Sequence, residues 1–348
     1  MGLQFSEIDD AVLLTQENLV KRGAFVDMQT DLTDHVAVRE MWKGRQKKFI
    51  GGDDWEFQCQ IDHNYSARAV TMYETDGSAM TDTMVTGKVN PRHINAHYTY
   101  DKREKAFQRG GVAIVDFIKT KYTAMMVSLY EYLETVLWSK PTNSTDNKTP
   151  FGIAYWVLKN AADSEGFHQS NPAGFTSGRA NIDSTASGNE RWSNWYSRYI
   201  AVEKQDLIRR MRTAHRNIQF RSPVSHSQPE LGGMKNGIYA GDTVVGLMEE
   251  LLEGQNMNLG DDLASKDGRT VFKSTSITYA PKLDDDSQDP VYMLDWKWLA
   301  IGVLAGWENE LTKPYMVPNM HLVSRVDLDA TLNMVSSNLR KQAVIAKA

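Results

Sequence analysis

Two clusters of charge are the side chains best suited to chemistry. Asp284, Asp285, Asp286 and Asp289 crowd carboxylates into one short stretch, the kind of donor set a hard cation such as Ca²⁺ takes. Their spacing lacks the glycine and terminal glutamate of an EF-hand loop, so a solvated turn between two strands is expected, holding no metal. The second cluster is Lys204, Arg209, Arg210, Arg212, Arg216 and Arg221, interleaved with Met211 and Phe220 and opposed only by Glu203 and Asp206. Six cations so placed suit a phosphate backbone or an acidic protein neighbour. The plainer alternative is a solvated helix face.

Beyond these clusters, motifs for catalysis are missing. The sequence has no HExxH, no CxxC, no Gly-x-Ser-x-Gly and no Walker loop. Gly87-Lys88 has Asp82 where the first Walker glycine belongs. Gly174 to Gly178 (GFTSG) puts Thr176 in the nucleophile position without a strand before it, and reads as a turn. Cys59 and His63, four apart on an alternating strand, share a face but need not share a ligand. No catalytic residue and no cofactor is therefore expected, and the chain is not read as an enzyme.

Composition narrows the classes further. The 348 residues allow one large or two smaller domains with a substantial core. Net charge is −5, so any contact with nucleic acid must be local. No apolar run is long enough to span a membrane. The start, MGLQFSEIDD, lacks the basic and apolar regions of a secretory signal; Gly2 and Ser6 satisfy only the loose myristoylation pattern. The single cysteine, Cys59, rules out an intramolecular disulfide framework and fits a reducing compartment.

The elements that must position these residues follow from periodicity. Ile8 to Leu19 and Asp31 to Lys48 have amphipathic helical spacing. From Trp55 the period becomes two: Trp55, Phe57, Cys59 and Ile61 alternate with Glu56, Gln58, Gln60 and Asp62, a half-buried strand. Further β-like runs fall near 66–73, 83–90 and 92–100, the first two joined through an Asp76-Gly77 turn signal. This strand-rich stretch brings few large aliphatics, and isolated two-stranded ribbons are marginal in water, so a neighbouring subunit is expected to cover it. Val112 to Lys140 then runs without proline or glycine, with Val115, Ile118, Tyr122, Met125, Leu129, Tyr132 and Val136 spaced three and four apart. A helix of about 28 residues ending at Pro141 is predicted, packed on a sheet rather than in a coiled coil. PFGIAYWVL reads as buried, and Asp163 to Arg191 as a long loop of the sort that is uncommon unless functional or mobile. A helix over about Glu203 to Ile218 and a strand at Gly237 to Ala240 follow. Next comes a helix whose Val244, Val245, Leu247, Met248, Leu251 and Leu252 face inward, stopped at Gly254. Strands are predicted at 270–281 and 291–305, and a long amphipathic strand carries Val326, Leu328, Ala330, Leu332 and Met334. The class is α+β, with no βαβ series and no internal repeat.

In this order the elements resemble the Hong Kong 97-type major capsid proteins of tailed double-stranded-DNA bacteriophages. RAVTMYETDG and TGKVNPRHINAHYTYDKRE look like the extended loop and its return, and GGVAIVDFIKTKYTAMMVSLYEYLETVLWSKP looks like the spine helix. YAGDTVVGLMEELLEGQNMNLG with VFKSTSITYAPKL looks like the axial domain, and RVDLDATLNMVSSNLRKQAVI like returning strands. The resemblance implies an N-terminal arm (1–52), an extended β-hairpin loop (53–102) and a peripheral domain with spine helix and long loop (103–235). An axial domain (236–315) and strands returning to the peripheral domain (316–348) complete it. It further implies hexamers and pentamers tiling an icosahedral virion around double-stranded DNA, assembled in the bacterial cytoplasm. A separate scaffold protein, a portal and a decoration protein are the implied partners, and the DNA contact is non-specific. No self-crosslinking Lys/Asn pair is marked. An encapsulin-like compartment shell is the alternative within that fold; a hydrolase or carbohydrate-binding protein using Asp284 to Asp289 is the alternative outside it.

Overall fold

The computed structural model describes residues 35–42, 46–64, 66–72, 82–104, 111–160, 165–219, 236–253 and 270–348. The helix expected at Ile8 to Leu19, most of the N-terminal arm and Arg221 lie outside these residues. Strands run over Gln46–Phe49 (β1), Trp55–Gln60 (β2), Met84–Val89 (β3), Arg92–Asp101 (β4), Gly166–Phe167 (β5), Trp195–Tyr199 (β6) and Asn236–Ala240 (β7). Val271–Phe272 (β8), Thr275–Tyr279 (β9), Val291–Asp295 (β10), Leu299–Leu304 (β11), Glu310–Leu311 (β12), Tyr315–Met316 (β13), Val323–Ser336 (β14) and Ala343–Lys347 (β15) complete them. The α-helices among the described residues are Gly111–Trp138 (α1), the single turn Ile153–Trp156 (α2), Leu207–Ile218 (α3) and Asp242–Glu253 (α4). No helix among the described residues is long and apolar enough to cross a membrane.

The long helix forms as its periodicity predicts, 28 residues ending just before Pro141. Its buried stripe is Ile118, Tyr122, Met125, Leu129, Leu133 and Val136. Val127, Leu137 and Trp138 widen it, whereas Tyr132, expected on the inner seam, is 45% exposed. Val115 belongs to the turns whose side chains lie outside the described residues.

Two sheets flank α1. The six-stranded sheet has the order β1-β11-β14-β12, with β4 and β13 also on β14. β14 pairs with β4 over ten residues, from Val323 opposite Asp101 to Leu332 opposite Arg92. The predicted in-out alternation of β14 holds for residue type but not for burial: Asp327, Thr331 and Asn333 are buried as well as Leu328, Ala330 and Leu332. Both faces are covered, and the polar side pairs internally. Asn333 accepts from the Phe151 and Met334 amides and donates to the Asn90 carbonyl, which meets the requirement that buried polar groups find partners.

The seven-stranded sheet has the order β5-β6-β15-β10-β7-β9-β8. β10 and most of β15 are buried on both faces. Tyr292 faces α1, where Trp138 lies 5.8 Å away, while Val291 and Met293 face α3 and α4. β7 and β9 run parallel and are joined through α4, one βαβ crossover. The segments expected to form single domains are shared between the layers. The final stretch, read as strands of one domain, splits: β14 joins the six-stranded sheet and β15 the seven-stranded one. β11 pairs with β14 whereas its neighbour β10 pairs with β7 and β15.

The extended loop also needs correction. Residues 66–72 are exposed and form no strand. β4 is not part of the ribbon. What remains is the hairpin β2–β3, paired antiparallel from Trp55–Val89 to Gln60–Met84. Its inner face is covered by its own subunit, contrary to the expectation that a neighbour must do so. Trp55 stacks on Phe49 at 4.6 Å, and Phe57 lies 6.5 Å from Trp156 and 6.2 Å from Trp192. The Cys59 thiol donates to the Ser337 carbonyl.

Candidate functional site

The basic cluster resolves into a helix with two different faces. Leu207, Met211, Ala214 and Ile218, at helical spacing, pack α3 onto β6 and β15. The opposite side presents Arg209, Arg212 and Arg216, three and four residues apart and all exposed, so they form one stripe. Lys204 is exposed just before the helix. Arg210 does not join the stripe: its Nε donates to Asp206 Oδ1 at 2.7 Å. Asp206 in turn accepts from the Ile200 and Ala201 amides, holding the bend that precedes α3. Helix formation therefore begins at Leu207 rather than at Glu203.

α4 has the opposite sign. Val244 and Met248 are buried beneath it, and its exposed positions include Asp242, Thr243, Leu247, Glu249 and Glu250. Leu247, expected to face inward, is 40% exposed. No lysine or arginine occurs within the helix.

The acidic turn is dispersed rather than convergent. Asp284 accepts from the Asp242 amide at 2.7 Å and from the Tyr279 hydroxyl at 2.6 Å, so it caps the start of α4. That contact and the nearby charge push the Tyr279 hydroxyl up to about 12. Asp286 pairs with Lys159, Asp289 with Lys347 at 3.4 Å, and the exposed Asp285 with Lys282 at 3.7 Å. Each carboxylate points to a separate partner. Among the described residues no group of three or more acidic, histidine or cysteine side chains could hold a metal ion.

Two buried polar side chains escaped sequence reasoning. Arg179, fully buried in the long loop, donates to the Trp156 carbonyl, the Trp192 carbonyl and Asn194 Oδ1 at 2.7–2.9 Å. Burial pushes its guanidinium down to about 9. The loop is thus tied to the core, and Gly178 takes the left-handed φ of +79° where a Cβ would meet the Ile182 carbonyl at 2.1 Å. Glu134 on α1 accepts from the Ala37 and Val38 amides and from the Trp138 indole, fastening the end of the N-terminal segment to the long helix. An arginine among glycines and serines, or one glutamate on a helix, carries no local signal of burial.

Past Ile61 the hairpin offers a different surface. Val70 and Met72 are 59% and 90% exposed. A second group of exposed apolar side chains, Tyr315, Met316 and Met320, lies on and just after β13.

No family model matches the sequence, and no curated protein does. Solved structures do. The capsid of cyanophage A-1(L) is similar over 92% of this chain and 95% of its own, with a TM-score of 0.63 at 13% identity. The capsid of a native GTA particle matches over 93% and 95%, with a TM-score of 0.57 at 10% identity. An encapsulin complex from Synechococcus elongatus matches over 94% of each chain, with a TM-score of 0.50 at 7% identity. At such identities the likeness is one of fold, and it extends over nearly the whole length. The chain has the Hong Kong 97-type fold.

Proposed function

We propose that this chain is a structural subunit that assembles with copies of itself into the closed shell of a phage head, as hexamers and pentamers around double-stranded DNA. The observation that carries the proposal is the fold, similar over 92% of this chain and 95% of the cyanophage capsid chain. The six-stranded layer with α1 serves as the peripheral domain, the seven-stranded layer with α3 and α4 as the axial domain, and the distal hairpin as the arm reaching a neighbour. Scaffold, portal and decoration proteins, and assembly in a bacterial cytoplasm, belong to the same proposal. No catalysis is assigned, since each carboxylate of the acidic turn serves a structural partner.

The test is size-exclusion chromatography and negative-stain microscopy of the purified full-length chain. Rings or shells of megadalton mass are expected; a monodisperse monomer at every concentration and salt tried would overturn the proposal. The encapsulin match favours a second reading, a cellular compartment shell. Nuclease-protected DNA in native particles supports the phage head, and enclosed protein cargo without DNA supports the compartment.

A further inference from the structure

The geometry points to a docking site for a basic peptide segment of a partner protein on the outer face of the six-stranded sheet, where an arginine or lysine side chain lies on the Trp307 indole beside Asp329. Side chains alternate along a strand. Ile94 and Tyr98 of β4 and Val326, Leu328 and Ala330 of β14 are buried in the core shared with α1. His93, Asn95, Asp329 and Thr331 therefore face the other way. The chain leaves β11 through a turn in which Gly306 takes a φ of +85° and the Trp307 amide donates to the Leu304 carbonyl. The Trp307 carbonyl accepts from the Thr331 amide at 2.9 Å, which fixes this turn against β14. Trp307, 48% exposed, lines a cleft of about 240 Å³ together with His93, Asn95, Asp329 and Thr331.

The cleft has negative charge without a counter-ion. Arg325 donates to Asp327 and to Asn95, so the charge of Asp327 is matched. Asp329 accepts from the neutral Asn95 amide at 2.6 Å. Glu310 is exposed and stands directly opposite Asp329 in the β12–β14 pairing. Neither Asp329 nor Glu310 forms an ion pair among the described residues. Like charges directly opposite across a sheet repel, and an indole face is the aromatic surface that attracts a cation best. A basic side chain entering the cleft gains the ring and the carboxylate together and relieves that repulsion. A neutral sugar stacked on the indole would leave the repulsion in place, and a phosphate would add to it. One exposed cation–ring contact is weak, so the cation arrives as part of a peptide with further contacts. Tyr315 offers the next one: it is exposed, lies opposite Arg325 and donates its hydroxyl to Asp327 on the same face. Trp, Tyr and Arg are the side chains that most often anchor protein interfaces.

The probes are fluorescein-labelled penta-arginine and its neutral citrulline counterpart, titrated with the full-length chain and read by fluorescence anisotropy. Wild type is expected to bind the arginine peptide in preference and to release it as salt rises. Trp307→Leu, which keeps apolar bulk and charge but loses the ring, and Asp329→Asn should each weaken binding about fivefold. Glu250→Gln, an exposed acid on α4, should leave it unchanged, and all three should keep the melt and the particles of wild type. If Trp307→Leu unfolds, Trp307→Phe replaces it and is expected to bind less tightly than wild type. No binding of the arginine peptide overturns the inference, as does equal binding of the citrulline peptide. Binding by folded Trp307→Leu as tight as that of wild type overturns it in favour of diffuse attraction to an acidic surface. Particles lost in folded Asp329→Asn overturn it in favour of a contact between copies of this chain. A wild-type chain that assembles without binding the peptide defeats this site alone, whereas one that binds the peptide and never assembles defeats the shell reading alone.

Discussion

In the base of the hairpin, Phe57 and Cys59 are each 7% exposed, pressed against Trp156, Trp192 and the Ser337 carbonyl, whereas beyond Ile61 the apolar Val70 and Met72 stand in solvent. One ribbon thus contains two kinds of structure. The base is a piece of the subunit core, with β3 further tied to the long loop through the Lys88 amide and the Ala180 carbonyl. Val70 and Met72 have no such cover. A ribbon of this size gains little from its own hydrogen bonds, so what decides folding is which aromatic surface lies beneath it.

Removing the aromatic contact should break the base outright. Phe57→Ala is expected to destabilise the subunit by about 3–5 kcal/mol, the range for deleting a buried ring, read as a lower denaturant midpoint. Gly87→Ala should act on the same contact from the opposite strand, since a Cβ there would lie 2.5 Å from the Phe57 ring; overpacking of this kind costs about 1–3 kcal/mol. Phe57→Leu should relieve much of the Gly87→Ala defect. Independent, additive losses would mean that the two strands do not meet through this ring.

A subtler difference should appear with pH. Burial pushes the Cys59 thiol up from 9.0 to about 12. Below pH 9 both folded and unfolded chains keep the proton and the full stability is present. Between pH 9 and about 12 the unfolded chain releases it while the folded chain holds it, so stability falls as pH rises. Tyr155, pushed to about 12 by burial, contributes with the same sign above its ordinary value of 10.0. The slope that belongs to Cys59 is therefore the difference between wild type and Cys59→Ala, and native Cys59 should resist alkylation at neutral pH. Rapid alkylation of the folded protein would show that the base opens.

The smallest effect on stability, and the sharpest on assembly, belongs to the tip. Replacing residues 66–81 by two glycines leaves every β2–β3 pair in place. The melt should shift by no more than about 0.5 kcal/mol, as for surface changes generally, while closed shells are lost. A trimmed chain that still builds normal particles would remove the arm from the assembly mechanism, and one that unfolds would show that the tip shares the role of the base.

Local periodicity determined much of this protein. The uninterrupted run after Gly111, the alternation from Trp55 to Ile61 and the buried character of Phe151 to Leu158 are all found where residue spacing places them. These signals are legible because a side chain's face is set by its own helix or strand. The basic cluster was legible as a charge patch, but its division into a stripe and the internally paired Arg210 was not.

What only the tertiary structure decided is what covers the second face of each element. β14 reads as amphipathic, yet both its faces are buried, because the polar side finds partners as remote as Asn90 and Phe151. The ribbon reads as bare, yet the Cys59 thiol reaches Ser337, 278 residues away. Arg179 reads as a loop cation, yet it is buried in the core, where its two terminal nitrogens donate to two carbonyls and an amide side chain. Periodicity reports the direction a side chain takes from its own backbone. Whether water, a carbonyl or an aromatic ring waits there depends on chain segments hundreds of residues distant, whose arrangement is a property of the whole fold.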